Sequence, residues 1–111
     1  MYVYDKANEI AQALKESREY LEFKKIKEEI NSLPEMKQKI DEFEKIRYDV
    51  QLLSIQGEKQ DEEKMKKLQE LYQILMQNAK VKEFFDAEVR FNVMLADINK
   101  IIGDAVKDVL Q

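Results

Sequence analysis

Only three residues of the types that break helices occur in this chain of 111 residues: Pro34, Gly57 and Gly103. Around them apolar residues recur at intervals of three and four, and no stretch keeps the strict alternation of a half-buried strand. A chain so poor in turn residues has few places to reverse direction tightly, which argues against a sheet of hairpins. The spacing predicts an all-α protein, a single domain over 1–111. About five helices are expected in an antiparallel array, with two long ones at about 33–56 and 79–110.

Local signals place the helix ends. Asp5 is a candidate cap for a first helix carrying Ala7, Ile10, Ala11 and Leu14. Ser17 offers a fresh cap for a second helix with Phe23, Ile26, Ile30 and Leu33 on one stripe. Ser32-Leu33-Pro34-Glu35 reads as a capping box, with Pro34 in the first turn of the third helix. That helix is expected to stop at Gly57, the natural residue just past a helix end. Asp61 is the expected cap of a fourth helix with Met65, Leu68, Tyr72 and Leu75 on its stripe. Asn78 is the expected cap of the last.

The third helix carries two apolar stripes. Met36, Ile40, Phe43, Ile46, Val50 and Leu53 form one; Tyr48, Leu52 and Ile55 form the other. Val50 and Leu52 lie about 200° apart around a helix, whereas an amphipathic surface helix needs one apolar face. Either the second side is buried within one chain or another subunit covers it. The last helix has a heptad seam, Val81, Phe84, Glu88, Phe91, Leu95, Ile98, Ile102, Ala105 and Val109, apolar except at Glu88. Its face is wide enough to predict a central helix packed by several neighbours. Gly103 within it marks a kink or a close helix approach, or only weakens the last turns.

The sequence contains no His, Cys, Trp or Thr. Thiolate and imidazole chemistry, zinc sites and iron–sulfur clusters are thereby excluded. Two glycines cannot form a phosphate-cradling loop. The carboxylates fall at helix-surface spacing without the Glu-x-x-His pairs of di-metal bundles. No catalytic residue, cofactor site or metal site is assigned, and the protein is read as a non-enzyme. Charged residues make up 38% of the chain, with a net charge of −4. That balance disfavours nonspecific nucleic-acid binding. Lys24-Lys25-x-Lys27 and Lys64-x-Lys66-Lys67 are interleaved with Glu and lack stacking aromatics, so both read as solvated faces. The first residues lack a basic stretch and an apolar core, and no apolar run approaches the length of a membrane span. A cytoplasmic protein without membrane attachment is expected.

Glu88 interrupts an apolar seam, and a buried carboxylate needs a partner. Three arginines stand against sixteen lysines, which makes each Arg a candidate for fixed pairing. Arg47 and Glu88 form the candidate buried polar pair, with Arg90 of a neighbouring helix or subunit as the other possible partner; the alternative is a Glu88 that reaches water at the stripe edge. The expected oligomer or partner interface comprises Tyr48, Leu52, Ile55, Glu88, Arg90, Phe91, Asn92, Leu95 and Ile98.

Taken whole, the chain resembles the YlbF/YmcA family of small bacterial helical proteins, particularly its YheA-like branch. The resemblance rests on Tyr4-Asp5-x-Ala7 with Leu14 and Ser17, on Phe43 and Gln51 before Gly57, and most on Ala87-Glu88-x-Arg90-x-Asn92-x-Met94-Leu95 running into Ile98-x-Lys100-Ile101-Ile102. It implies an all-α fold, homo-oligomers built on the long helices, and a regulatory adaptor role. Family members are linked to competence, sporulation, biofilm formation and control of RNA processing by an endoribonuclease. Some bear a cysteine-containing extension associated with an iron–sulfur cluster; this sequence has no Cys to hold one. The expected partners are a second copy of the chain, as a homodimer, and the proteins of a regulatory complex. A small helical chaperone and a weak RNA-binding protein are the alternatives.

Overall fold

The computed structural model describes residues 2–110. They form five helices: α1 (Tyr2–Glu16), α2 (Arg18–Asn31), α3 (Pro34–Ile55), α4 (Glu62–Met76) and α5 (Ala79–Leu110). The described residues include no strand, and none of their helices is long and apolar enough to cross a membrane.

Most helix ends follow the local chemistry. Ser17 acts on both sides of the first break: its hydroxyl donates to the Leu14 carbonyl at 2.6 Å and accepts from the Tyr20 N–H at 3.2 Å. Gly57 has φ +70°, the left-handed conformation that favours glycine. The Glu58 N–H reaches back to the Leu53 carbonyl and the Gly57 N–H to Ser54, at 2.9 and 3.1 Å. These two bonds form a Schellman motif that closes α3. Asp61 accepts from the Glu63 and Lys64 N–H groups. Asn78 does the same for Lys80 and Val81.

Two expected caps are corrected. Helix α1 begins at Tyr2, so Asp5 lies inside its first turn, where a carboxylate favours the positive helix end without capping it. The Ser32–Glu35 capping box does not form. Leu33 is the N-cap of α3, at φ −115° and ψ 89°, with no side-chain cap bond. A residue before proline is pushed out of the helical region, so Leu33 cannot be the first helical residue as the box requires. Ser32 is displaced outward, and its hydroxyl donates to the Glu29 carbonyl of α2 instead.

The chain divides into two compact units, one of Met1–Lys27 with Phe84–Gln111 and one of Glu28–Glu83. Within Glu28–Glu83, Lys67 pairs with Glu42, Lys64 with Asp49, and Phe43 meets Tyr72 at 6.1 Å between ring centroids. Rising residue numbers on α4 meet falling numbers on α3 across the two ion pairs, the mark of an antiparallel helical hairpin. The buried residues of this unit are Ile30, Ile40, Phe43, Leu75 and Val81. Lys80 at the start of α5 binds Glu29 near the end of α2 at 2.7 Å. The Gln60 amide donates to the Val50 carbonyl at 3.1 Å and holds the loop onto α3.

In the other unit, Phe23 of α2 packs against Phe84 and Phe91 of α5, at 5.6 and 5.5 Å. Tyr20 meets Phe91 at 6.2 Å. Phe84 and Ala87 are buried. The expectation of a central α5 packed by several neighbours fails for its second part. From Asn99 onward every described residue of α5 is exposed, and α1 buries none of its residues. The aromatic contacts from α2 end at Phe91, although the seam continues to Val109. Gly103 has open space where a Cβ would sit, so the close-approach reading fails. Gly103→Ala is expected to stabilise the chain by about 1 kcal/mol, the helix-propensity difference; urea denaturation measures it.

Candidate interaction surfaces

The second apolar stripe of α3 is open. Tyr48 is 63% exposed, Leu52 38% and Ile55 83%, whereas Ile40 and Phe43 on the inner side are 3% and 5% exposed. Burial of this stripe within one chain is therefore set aside. A side chain as apolar as Ile55 gains about 1.5–3 kcal/mol when fully buried, so the stripe favours contact with another surface.

On the inner side of α3 in the same unit, α3 and α4 frame an open depression of about 600 Å³ lined by Phe43, Met65, Leu68 and Tyr72, with Glu62, Lys66 and Gln69 at its polar edge. Met65 and Tyr72 remain 43% and 49% exposed. Both were expected on the inner stripe of α4. They sit at its margin, where heptad spacing alone does not separate inside from edge.

The remaining expected interface residues fall in the other unit. Phe91 is half-buried and spent on packing against Tyr20 and Phe23. Leu95, Ile98 and Glu88 are half-buried, and Asn92 and Arg90 exposed. The Arg90 guanidinium lies 3.6 Å from a Glu22 carboxylate oxygen. Arg47 lies 3.8 Å from Glu44 and over the Phe43 ring at 5.5 Å.

Glu22 is flanked by two arginines, since Arg18 also donates to it at 2.7 Å. The Arg18 hydrogen bond, aided by the charges of Arg18 and Arg90, holds the Glu22 carboxyl below its ordinary 4.5. The folded chain thus binds this proton more weakly than the unfolded chain. The contribution to stability is present above pH 4.5 and is lost as pH falls through the depressed value. Denaturation midpoints of the wild type and Glu22→Gln are accordingly expected to differ at neutral pH and to converge in acid. The amine of Lys80 is raised above its ordinary 10.5, chiefly by hydrogen bonding to Glu29 and then Glu83. Its contribution is present below pH 10.5 and is lost as pH rises through the raised value.

The basic clusters behave as solvated faces. Lys64 and Lys67 pair across the hairpin with Asp49 and Glu42, and Lys27 lies over Phe23 at 5.7 Å.

The family described as "Control of competence regulator ComK, YlbF/YmcA" matches residues 3–107. A UPF0342 protein of Caldicellulosiruptor bescii is 39% identical over 95% of this chain and 88% of its own length. A UPF0342 protein of Symbiobacterium thermophilum is 38% identical over 94% of this chain and 93% of its own length. One solved structure, described as a protein of unknown function (DUF964) from Bacillus stearothermophilus, matches with a TM-score of 0.81. It covers 100% of this chain and 97% of that one at 14% identity, a likeness of fold alone.

Proposed function

Because the chain belongs to the YlbF/YmcA family, described by its control of the competence regulator ComK, we propose that it is a non-enzymatic, cytoplasmic regulatory adaptor. It works as a homodimer and acts by binding other proteins, in the manner linked to competence, sporulation, biofilm formation and RNA-processing control. The observation that carries this reading is the exposed stripe Tyr48, Leu52 and Ile55 on a helix whose opposite side is buried. A helix face with apolar anchors three and four residues apart suits a partner helix or groove.

Affinity purification of the tagged protein from its native host, with mass spectrometry, tests the reading. An adaptor retains one stoichiometric protein through a high-salt wash. A chaperone instead suppresses aggregation of unrelated unfolded proteins, and an RNA-binding protein shifts RNA at low salt and loses it as salt rises.

A further inference from the structure

We propose that the groove between α2 and the outer side of α5 is a second protein-docking site, and that its occupant is a basic amphipathic helix of another protein. This rests on the adaptor reading above and adds the surface by which an adaptor holds a second partner. The groove lies wholly within the unit Met1–Lys27 with Phe84–Gln111. There α2 and α5 frame an open depression of about 450 Å³, with an apolar lining of Val89, Val93, Met94 and Ile98 and with Glu19, Arg90 and Asp97 at its charged edge. Val93 stands nine residues after Phe84, half a turn away around the helix. The packing of Phe84 on Phe23 therefore leaves Val93 outside. Val89 and Val93 are 59% and 54% exposed, while Met94 and Ile98 beside them are half-buried.

Charge complementarity selects the occupant. Asp86, Val89, Val93 and Asp97 follow one another at intervals of three, four and four, which sets them on one line along α5. The two valines are thus bracketed by carboxylates roughly 16 Å apart along the helix axis. Arg90 already faces Glu22 at 3.6 Å, and Arg18 donates to the same carboxylate at 2.7 Å. Lys100, one turn beyond, is paired with Asp104 at 3.1 Å. The surplus charge beside the apolar strip is therefore acidic, from Glu19, Asp86 and Asp97. A helix of about three turns matches it, with apolar residues three and four apart and a Lys or Arg at each end. An anionic lipid surface or RNA would meet like charge. A second copy in a two-fold contact would set these carboxylates against their own images. A small molecule would keep much of its surface in water in so open a depression.

Fluorescence anisotropy with the full chain at low salt tests this. The probe is a labelled helical peptide with a Leu stripe flanked by Lys; its two controls replace the Lys by Glu or the Leu by Ser. The Leu–Lys peptide is expected to bind at least about tenfold more tightly than either control. Val93→Ser should weaken it about tenfold, with far-UV circular dichroism unchanged. Asp86→Lys with Asp97→Lys should reverse the preference toward the Leu–Glu peptide. Equal binding of the Ser–Lys peptide would show bare charge attraction and overturn the proposal, as would an unchanged affinity in Val93→Ser or a preference that does not reverse. Loss of peptide binding in Leu52→Glu, Ile55→Glu would seat the peptide on α3 and overturn it too. A change of sedimentation mass with Val93→Ser would assign the groove to a second copy instead. A wild type that ignores the peptide, yet retains a native partner through α3, overturns the second site and leaves the adaptor reading standing.

Discussion

Phe84→Ala is expected to destabilise the protein by about 3–5 kcal/mol, read as a fall in the urea midpoint. The ring is 4% exposed and sits between Phe23 at 5.6 Å and Phe85 at 5.4 Å. Truncation removes the transfer free energy of the ring and leaves a cavity that neighbouring rings, fixed by their own helices, fill only in part. Total stability of a domain this size is about 5–15 kcal/mol, so the loss is a large fraction of it. Phe91→Ala is expected to cost less, since that ring is half-exposed. A loss below about 1 kcal/mol for Phe84→Ala would mean that the contact between α2 and α5 does not hold this unit together.

Helix ends were legible at four places where one residue acts on its own backbone, though not at Asp5, which lies inside the first turn of α1. Ser17, Gly57, Asp61 and Asn78 each do so, and each stands where its chemistry places it. Ser32 failed because a neighbour overrode it: Pro34 dictates the conformation of Leu33, and the cap moves by one residue. Burial was legible in direction but not in extent. The seam of α5 has the same apolar period before and after Ile98, and nothing in that period says which part a second helix covers. What covers it depends on how far α2 and α1 accompany α5, a tertiary property.

A Leu52→Glu, Ile55→Glu double variant is expected to separate folding from function. Both side chains are exposed in the single chain, so stability should change by no more than about 0.5 kcal/mol at each site. Partner affinity should fall by about 2 kcal/mol or more, roughly thirtyfold, if these residues are the anchors of a contact. Tyr48, Leu52 and Ile55 were legible as a second stripe because they lie across the helix from Ile46 and Val50, and one helix cannot place both stripes against the same neighbour; that the stripe is open in the single chain is a tertiary property. Met65 and Tyr72 were not, because a residue at a stripe margin has the same spacing whether it is covered or open. Arg18 was likewise not singled out with Glu22; its spacing of four on α2 was the available signal, and the approach of Arg90 is a tertiary contact.

On the proposed function, this protein acts through the open stripe of α3. The most direct measurement is quantitative affinity purification from the native host, with wild type and the Leu52→Glu, Ile55→Glu variant compared at equal expression and equal helicity. The expected result is one protein recovered in stoichiometric amount with the wild type and reduced roughly thirtyfold with the variant. Recovery of the same protein in equal amount by both would contradict the claim and place the functional contact elsewhere on the molecule.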